Sequence, residues 1–257
     1  MVKLSVNLNK IATLRNARGG ATPNLLQVAI DVQKFGSHGI TIHPRPDERH
    51  ITYQDVHDIR SVIKTELNIE GNPTDKFMEL VLKIKPDQVT LVPDKYNALT
   101  SSSGWNTINH YHFLTRKIKK LKNFGIRTSI FLDPNPELVI YAAKTGSDRI
   151  ELHTGNFSIG YAKKEWSSIN PYIQTAKEAV KNGMLINAGH DLNLDNISFL
   201  IEKIPYLSEV SVGHALISES LYMGLENTIQ SYLKRIHRID MNESGIKNKV
   251  IKNDTTF

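Results

Sequence analysis

Eight short apolar segments, rich in Val, Ile and Leu, punctuate this chain, and a helical pattern follows each one. They are Leu4–Asn7, Ile40–His43, Leu67–Glu70, Val89–Val92, Thr128–Asp133, Ile150–His153, Leu185–Ala188 and Val210–Gly213. Strand–helix alternation of this kind predicts a parallel sheet covered by helices. Eight βα units within 257 residues match a (β/α)8 TIM barrel in count and length. A doubly wound open sheet is the structural alternative.

Punctuation supports the same reading. Thr22-Pro23, Asn72-Pro73 and Asn135-Pro136 each place a capping side chain before a proline, predicting three helix starts. Gly36, Gly125, Gly146 and Gly183 sit where helices should stop. Leu114, Ile118 and Leu121 predict one buried helix face, and Leu221, Leu225, Ile229 and Leu233 another. The stretch from Asn106 to Phe124 predicts one extended helix, or a short extra helix before the main one. After Ile239 the chain turns polar, which gives a single catalytic domain over 1–239 and a C-terminal tail over 240–257.

Strand phase carries the functional argument. Side chains alternate across a strand. One set here is apolar (Leu4/Val6, Ile40/Ile42, Leu67/Ile69, Val89/Leu91), and the other is largely polar (Ser5/Asn7, Thr41/His43, Asn68/Glu70, Thr90). The later strands repeat the division: Ser129/Asp133, Glu151/His153, Asn187 and Ser211 stand against Ile130/Leu132, Ile150/Leu152, Ile186/Ala188 and Val210/Val212. In a barrel the apolar set faces the helices and the polar set points inward. Each unpaired polar group so buried costs about 1–3 kcal/mol. A purely structural core would avoid that composition, whereas a pocket for polar ligands would need it.

The segment "GITIHPRPDERHI" shows the consequence, loading His43, Arg45, Asp47, Glu48, Arg49 and His50 onto one strand end. His43, Glu70, His153 and His190 all end strands or open rim loops, on the face where such barrels keep their active sites. Taken singly, His153 and Glu151 read as structural residues. "NAGHDL" and "SVGHAL" put glycine and histidine after the seventh and eighth strands, the usual phosphate grip of the fold. Arg18 would complete that grip, and Arg45 with His50 forms a second cationic group, so two phosphates are expected. His43 and His50 lack metal-ligand spacing, and no metal is expected.

The formal net charge is +6, but the segment from Lys234 onward carries six Lys/Arg against three Asp/Glu. No basic stripe interleaved with aromatics appears, so nucleic acid is not an expected partner. No apolar run reaches membrane-span length, so no membrane partner is expected. The N-terminus lacks a signal-like apolar region and cysteine is absent; a cytoplasmic location is expected.

Seven motifs occur in a telling order: "NLNKIATLRNARGG", "GITIHPRPDERHI", "LNIEGNP", "VTLVPDK", "RIELHTG", "NAGHDLN" and "VGHALI". Over about Lys3 to Leu233 the chain resembles the pyridoxine 5'-phosphate synthase family, the ring-closing enzymes of vitamin B6 biosynthesis. The resemblance implies a TIM barrel with extra helices, a homo-octamer and no cofactor. It also implies a transferase-type condensation of 3-amino-2-oxopropyl phosphate with 1-deoxy-D-xylulose 5-phosphate. On this resemblance His43 and Glu70 are proton acceptors and His190 the proton donor. Asn7, Arg18, Gly213 and His214 hold the aminoketone phosphate, and Arg45, His50 and Thr100 the sugar phosphate, Thr100 lying in a loop that closes over the site. Three substrate-binding positions depart from the family pattern: Asn9 and Lys10 replace Asp and His, and Asp191 replaces glycine. The readings set against this one are another phosphosugar barrel, an isomerase or aldolase, and a basic RNA-binding protein. A Schiff-base aldolase would need a lysine at a strand end inside the barrel, which the eight segments lack.

Overall fold

The computed structural model describes residues 1–94 and 101–237. Its strands are β1 Lys3–Asn7, β2 Gly39–Ile42, β3 Glu66–Gly71, β4 Gln88–Leu91, β5 Arg127–Leu132, β6 Arg149–His153, β7 Leu185–Gly189 and β8 Leu207–Val212. All neighbours pair in parallel, and β1 pairs with β8, closing the barrel in sequence order. The helices are α1 Asn9–Arg18, α2 Leu25–Lys34, α3 Tyr53–Val62, α4 Asp75–Ile84, α5 Tyr111–Asn123, α6 Pro136–Lys144, α7 Gly155–Ala162, α8 Asn170–Lys181, α9 Ile197–Lys203 and α10 His214–Met223. A further helix, α11, spans 225–237. The second helices after β1, β6 and β8 (α2, α8 and α11) are the extra ones. None of the described helices is long and apolar enough to cross a membrane.

The outward sets are fully buried beneath the helices, from Leu4 and Val6 round to Val210. Each such side chain contributes about 1.5–3 kcal/mol of transfer free energy. The inward sets join across the barrel. Ser5 Oγ lies 2.7 Å from Thr41 Oγ1, Asn68 donates to Thr41, and the Thr90 hydroxyl stands between Asn68 Oδ1 and Glu151 Oε2. Nearer the N-terminal end of the strands, Glu66 receives Lys3 and Arg127, and Arg127 also donates to Gln88. Arg149 donates to Asn187, which donates to Glu209. The interior is tolerated because these polar groups find partners. Lys3 is an inward strand lysine, but it belongs to this base and bonds Glu66, far from the rim.

Several local expectations shift. Asn135 caps α6 as predicted, with Pro136 at its first position. The other two prolines lie before their helices: Asn24 caps α2 by accepting from Gln27, and Thr74 caps α4 by accepting from Phe77. The Leu221-to-Leu233 face is split between two helices. Gly224, at φ +77°, ends α10, leaving Leu221 exposed, while Ile229 and Leu233 are buried on α11. Residues 107–110 form a turn rather than helix, so α5 begins at Tyr111. Gly36, Gly125, Gly146 and Gly183 all follow helix ends at positive φ, as expected.

Candidate active site

At the C-terminal mouth of the barrel lies a cavity of about 340 Å³, lined by residues that include Asn7, Asn9, Lys10, Glu70, Glu151 and His190. A groove of similar size, about 360 Å³, between α1, α2 and α3 centres on Arg15 and Asp55. Those two satisfy each other at 2.6 Å, and the groove offers no histidine and no pair of free acids.

On the β1–β3 wall, the Asn9 side chain accepts from the His43 backbone N–H at 2.9 Å, fixing the end of β2 against the head of α1. His43 is buried, with Nδ1 3.9 Å from Glu70 Oε2. Burial, reinforced by the charge of Arg45, pushes the His43 imidazolium down to about 3, so the ring is a neutral base at physiological pH. Glu70 moves the other way. Burial first, then the carboxylates of Glu151, Asp94 and Glu209, hold its carboxyl well above the ordinary range. A neutral base therefore faces a neutral acid.

Glu151, one strand row deeper, is pushed up to about 8 by burial and by Glu209. The Thr90 hydroxyl donates toward Asn68 Oδ1 at 3.0 Å and toward Glu151 Oε2 at 3.3 Å, and its contact with Glu151 offsets part of that rise. Gly189 gives Glu151 room: a Cβ there would lie 2.6 Å from Glu151 Oε1 and force that side chain to shift. A folded-state pKa raised from 4.5 to about 8 means that the native state binds the extra proton between those values. Stability from this group is full below about pH 4.5 and is lost as pH rises through 8. Glu151→Gln should therefore flatten the fall in Tm between pH 5 and 8.5, each kcal/mol recovered appearing as about 2–4 °C. An unchanged pH slope in thermal melts would refute this.

The loop after β2 carries Arg45 and His50. Arg45 is buried and bonds Asp94 Oδ2 at 2.8 Å. Ser101 Oγ donates to the same oxygen at 2.7 Å, so the two ends of the segment 95–100 are joined. His50 is likewise pushed down to about 3, by burial and then by His43, Arg45 and Lys10. Its Nδ1 accepts from the Ile51 N–H at 2.9 Å, so Nε2 carries the proton and can donate to an anion.

The β6–β8 wall gathers histidines. His153 Nδ1 is 3.1 Å from Asp133 Oδ1, and its ring meets that of His190 edge-on at 4.9 Å. Burial raises the Asp133 carboxyl, but hydrogen bonds from His153 and the Gly104 N–H outweigh it and lower the group overall. His190 Nδ1 lies 3.0 Å from Asp191 Oδ2. Gly213 caps α10 and His214 begins it, with both lining the mouth. A Cβ at Gly213 would sit 3.0 Å from that of Asn7, so glycine lets β1 and β8 approach. The helix end with its exposed N–H groups suits an anion.

Among the predicted site residues, Asn7, Asn9, Lys10, Glu70, His190, Asp191, Gly213 and His214 line one cavity. His43, Arg45 and His50 stand immediately behind it on the β2 side rather than lining it, His43 reaching it through Glu70. Arg18 ends α1, exposed and outside the lining. Thr100 falls outside the described residues. The expected helix terminus behind Gly189–His190 is absent, because α9 starts only at Ile197. Glu151, which read singly as structural, also lines the mouth, in keeping with its inward strand phase. Phe131 shares the inward phase of Ser129 and Asp133 and lines the cavity too, whereas Asp94 and Ser101, outside the strands, had no such signal.

The family model described as "Pyridoxal phosphate biosynthesis protein PdxJ" matches residues 4–238. Proteins named pyridoxine 5'-phosphate synthase are similar over nearly their whole length. That of Christiangramia forsetii is 57% identical over 234 residues, 91% of this chain and 99% of the relative. That of Flavobacterium johnsoniae is 58% identical over 236 residues, 92% and 100%. Among solved structures, 3-keto-L-gulonate-6-phosphate decarboxylase from Vibrio cholerae aligns with a TM-score of 0.63 at 12% identity, covering 93% of this chain and 98% of that one. That likeness concerns the fold alone.

Proposed function

The chain belongs to the pyridoxine 5'-phosphate synthase family, and from that premise we propose how its rim divides the work of one condensation. The enzyme joins 3-amino-2-oxopropyl phosphate to 1-deoxy-D-xylulose 5-phosphate, giving pyridoxine 5'-phosphate, inorganic phosphate and water. The amine of the first substrate attacks the ketone of the second, and water leaves as an imine forms. Proton removal and phosphate loss follow, then ring closure with loss of another water. Every step moves a proton at carbon or oxygen, so several positioned acids and bases are required.

His43, held neutral, is the first proton acceptor. Glu70 enters the cycle as an acid and becomes the second acceptor only after giving its proton to substrate, with His43 Nδ1 3.9 Å from its Oε2. His190, on the opposite wall of the same cavity, is the donor. Asn7, Gly213 and His214 hold the aminoketone phosphate at the head of α10. Arg45, His50 and Thr100 hold the sugar phosphate, with Asn9 and Lys10 on the sugar itself. Asp191 contributes through its backbone. The reading also assigns Arg18 to the aminoketone phosphate; it ends α1, exposed and outside the cavity lining. The reading includes a homo-octamer, one catalytic domain over 1–239 with a tail, and a cytoplasmic location.

The observation that carries the assignment of roles is the meeting of Glu70 and His190 in one cavity, with His43 behind Glu70. Mixing the pure protein with both phosphorylated substrates tests the function. Pyridinol absorbance should rise with one phosphate released per ring formed. Phosphate release without the chromophore, or neither, would overturn it.

A further inference from the structure

Two consecutive residues with side chains take left-handed backbone at the mouth, His190 at φ +88° and Asp191 at φ +58°. Neither is glycine, and such conformations persist only where the surroundings impose them. Here the carbonyls are clamped. Thr154 Oγ1 donates to the carbonyls of Gly189 and His190. Ser158 Oγ donates to the Asp191 carbonyl at 2.9 Å, and Asn196 Nδ2 does so at 3.2 Å. In a strand, neighbouring side chains diverge to opposite faces. The clamped turn instead folds Asp191 back over its neighbour, bringing Oδ2 to 3.0 Å from His190 Nδ1.

We propose that Asp191 is a positioning residue for His190, holding the imidazole by Nδ1 so that proton exchange with substrate runs through Nε2. This rests on the reading of His190 as the donor. The bond to His190 lowers the Asp191 carboxyl more than burial raises it, so it is an acceptor and Nδ1 carries a hydrogen. As the imidazolium gives its Nε2 proton to a leaving oxygen, the ring stays behind as the Nδ1–H tautomer on the carboxylate. Titratable groups on the neighbouring elements face the pair. His153 faces it from β6: its Nε2 and Asp191 Oδ2 both lie within 4 Å of the position a Gly155 Cβ would take. His153 is itself held by Asp133 of β5. His214 approaches from the head of α10, and Lys10 from α1 in the same cavity wall. Glu70 and Glu151 share that cavity, both with raised carboxyls. The side chains that α7 and the lead-in to α9 turn toward Asp191 are the neutral Ser158 and Asn196. The arrangement also gives a carboxylate at a phosphate-binding mouth a cationic partner.

Asp191→Gly and Asp191→Asn test it, glycine being at ease at the observed φ. Removing a fully buried orienting Asp from a Ser-His-Asp triad costs about 10⁴-fold in kcat. Asp191 is half exposed, so a loss of about 10- to 100-fold is expected, with KM for both substrates unchanged or lower. In ¹⁵N-histidine NMR, with the His190 signal assigned by its loss in His190→Gln, wild type should show the Nδ1–H tautomer when neutral. Asp191→Gly should lose that preference. An identical tautomer in the two proteins would overturn the proposal. So would an unchanged kcat in Asp191→Gly when His190→Gln is inactive. A fully active His190→Gln, with the tautomer preference lost in Asp191→Gly, would reject the donor reading while leaving the positioning contact intact.

Discussion

Replacing Glu70 by Gln is expected to lower kcat by about 10²–10⁴-fold while KM for both substrates stays within about threefold. The direction follows from the state of the group. Burial and three neighbouring carboxylates keep Glu70 protonated, so an amide of the same shape reproduces its hydrogen-bonding surface. Binding is thereby spared. What the amide cannot do is release a proton to substrate and take another back. Stability should not suffer, because a neutral side chain replaces one whose ionisation the site opposes. The measurement is steady-state kinetics alongside thermal melts. Full turnover in a well-folded variant would remove Glu70 from the mechanism; a collapse of Tm would make its role structural.

The second large effect concerns Arg45. Its guanidinium is buried against Asp94 at 2.8 Å, and the Asp94 side chain is only 6% exposed. Removing one partner of a buried pair leaves an uncompensated charge, at about 3–5 kcal/mol. Arg45→Met should therefore lower Tm by roughly 6–20 °C, since each kcal/mol shifts a domain of this size by about 2–4 °C. The double variant Arg45→Met/Asp94→Leu should recover most of that stability, because two apolar residues of similar volume restore packing without charge. It should nevertheless remain inactive, having lost the cation proposed to meet the sugar phosphate. A single variant with wild-type Tm would show that the pair contributes little. An active double variant would show that Arg45 does not bind substrate.

Much of this was legible because strand phase is a local property. Ser5, Thr41, Asn68 and Thr90 could be assigned to the interior from alternation alone, and the interior they form is continuous. Strand boundaries agreed to within a few residues for the same reason. Helix starts at Thr22-Pro23 and Asn72-Pro73 were misread because a proline fits equally well just outside a helix, and the caps two residues on, Asn24 and Thr74, decide the start. The single face from Leu221 to Leu233 was an error of the same kind: four leucine-like residues keep helical spacing across Gly224, and spacing does not register a left-handed break. The raised carboxyl of Glu151 was not legible because it arises from burial and then Glu209, both products of closure rather than of sequence neighbourhood. Asp94 was not singled out because its partners, Arg45 and Ser101, meet it only in three dimensions.

The charged base of the barrel has a consequence for assembly of the ring. Lys3 and Arg127 meet on Glu66, linking β1, β3 and β5, while Arg149, Asn187 and Glu209 link β6, β7 and β8. A partly wound chain lacking its last strands would enclose Arg149 without Glu209, and one lacking its first would leave Glu66 without Lys3. Half-built barrels are thus penalised electrostatically as well as by their open edges, so this interior favours all-or-none closure over a ladder of partially folded states.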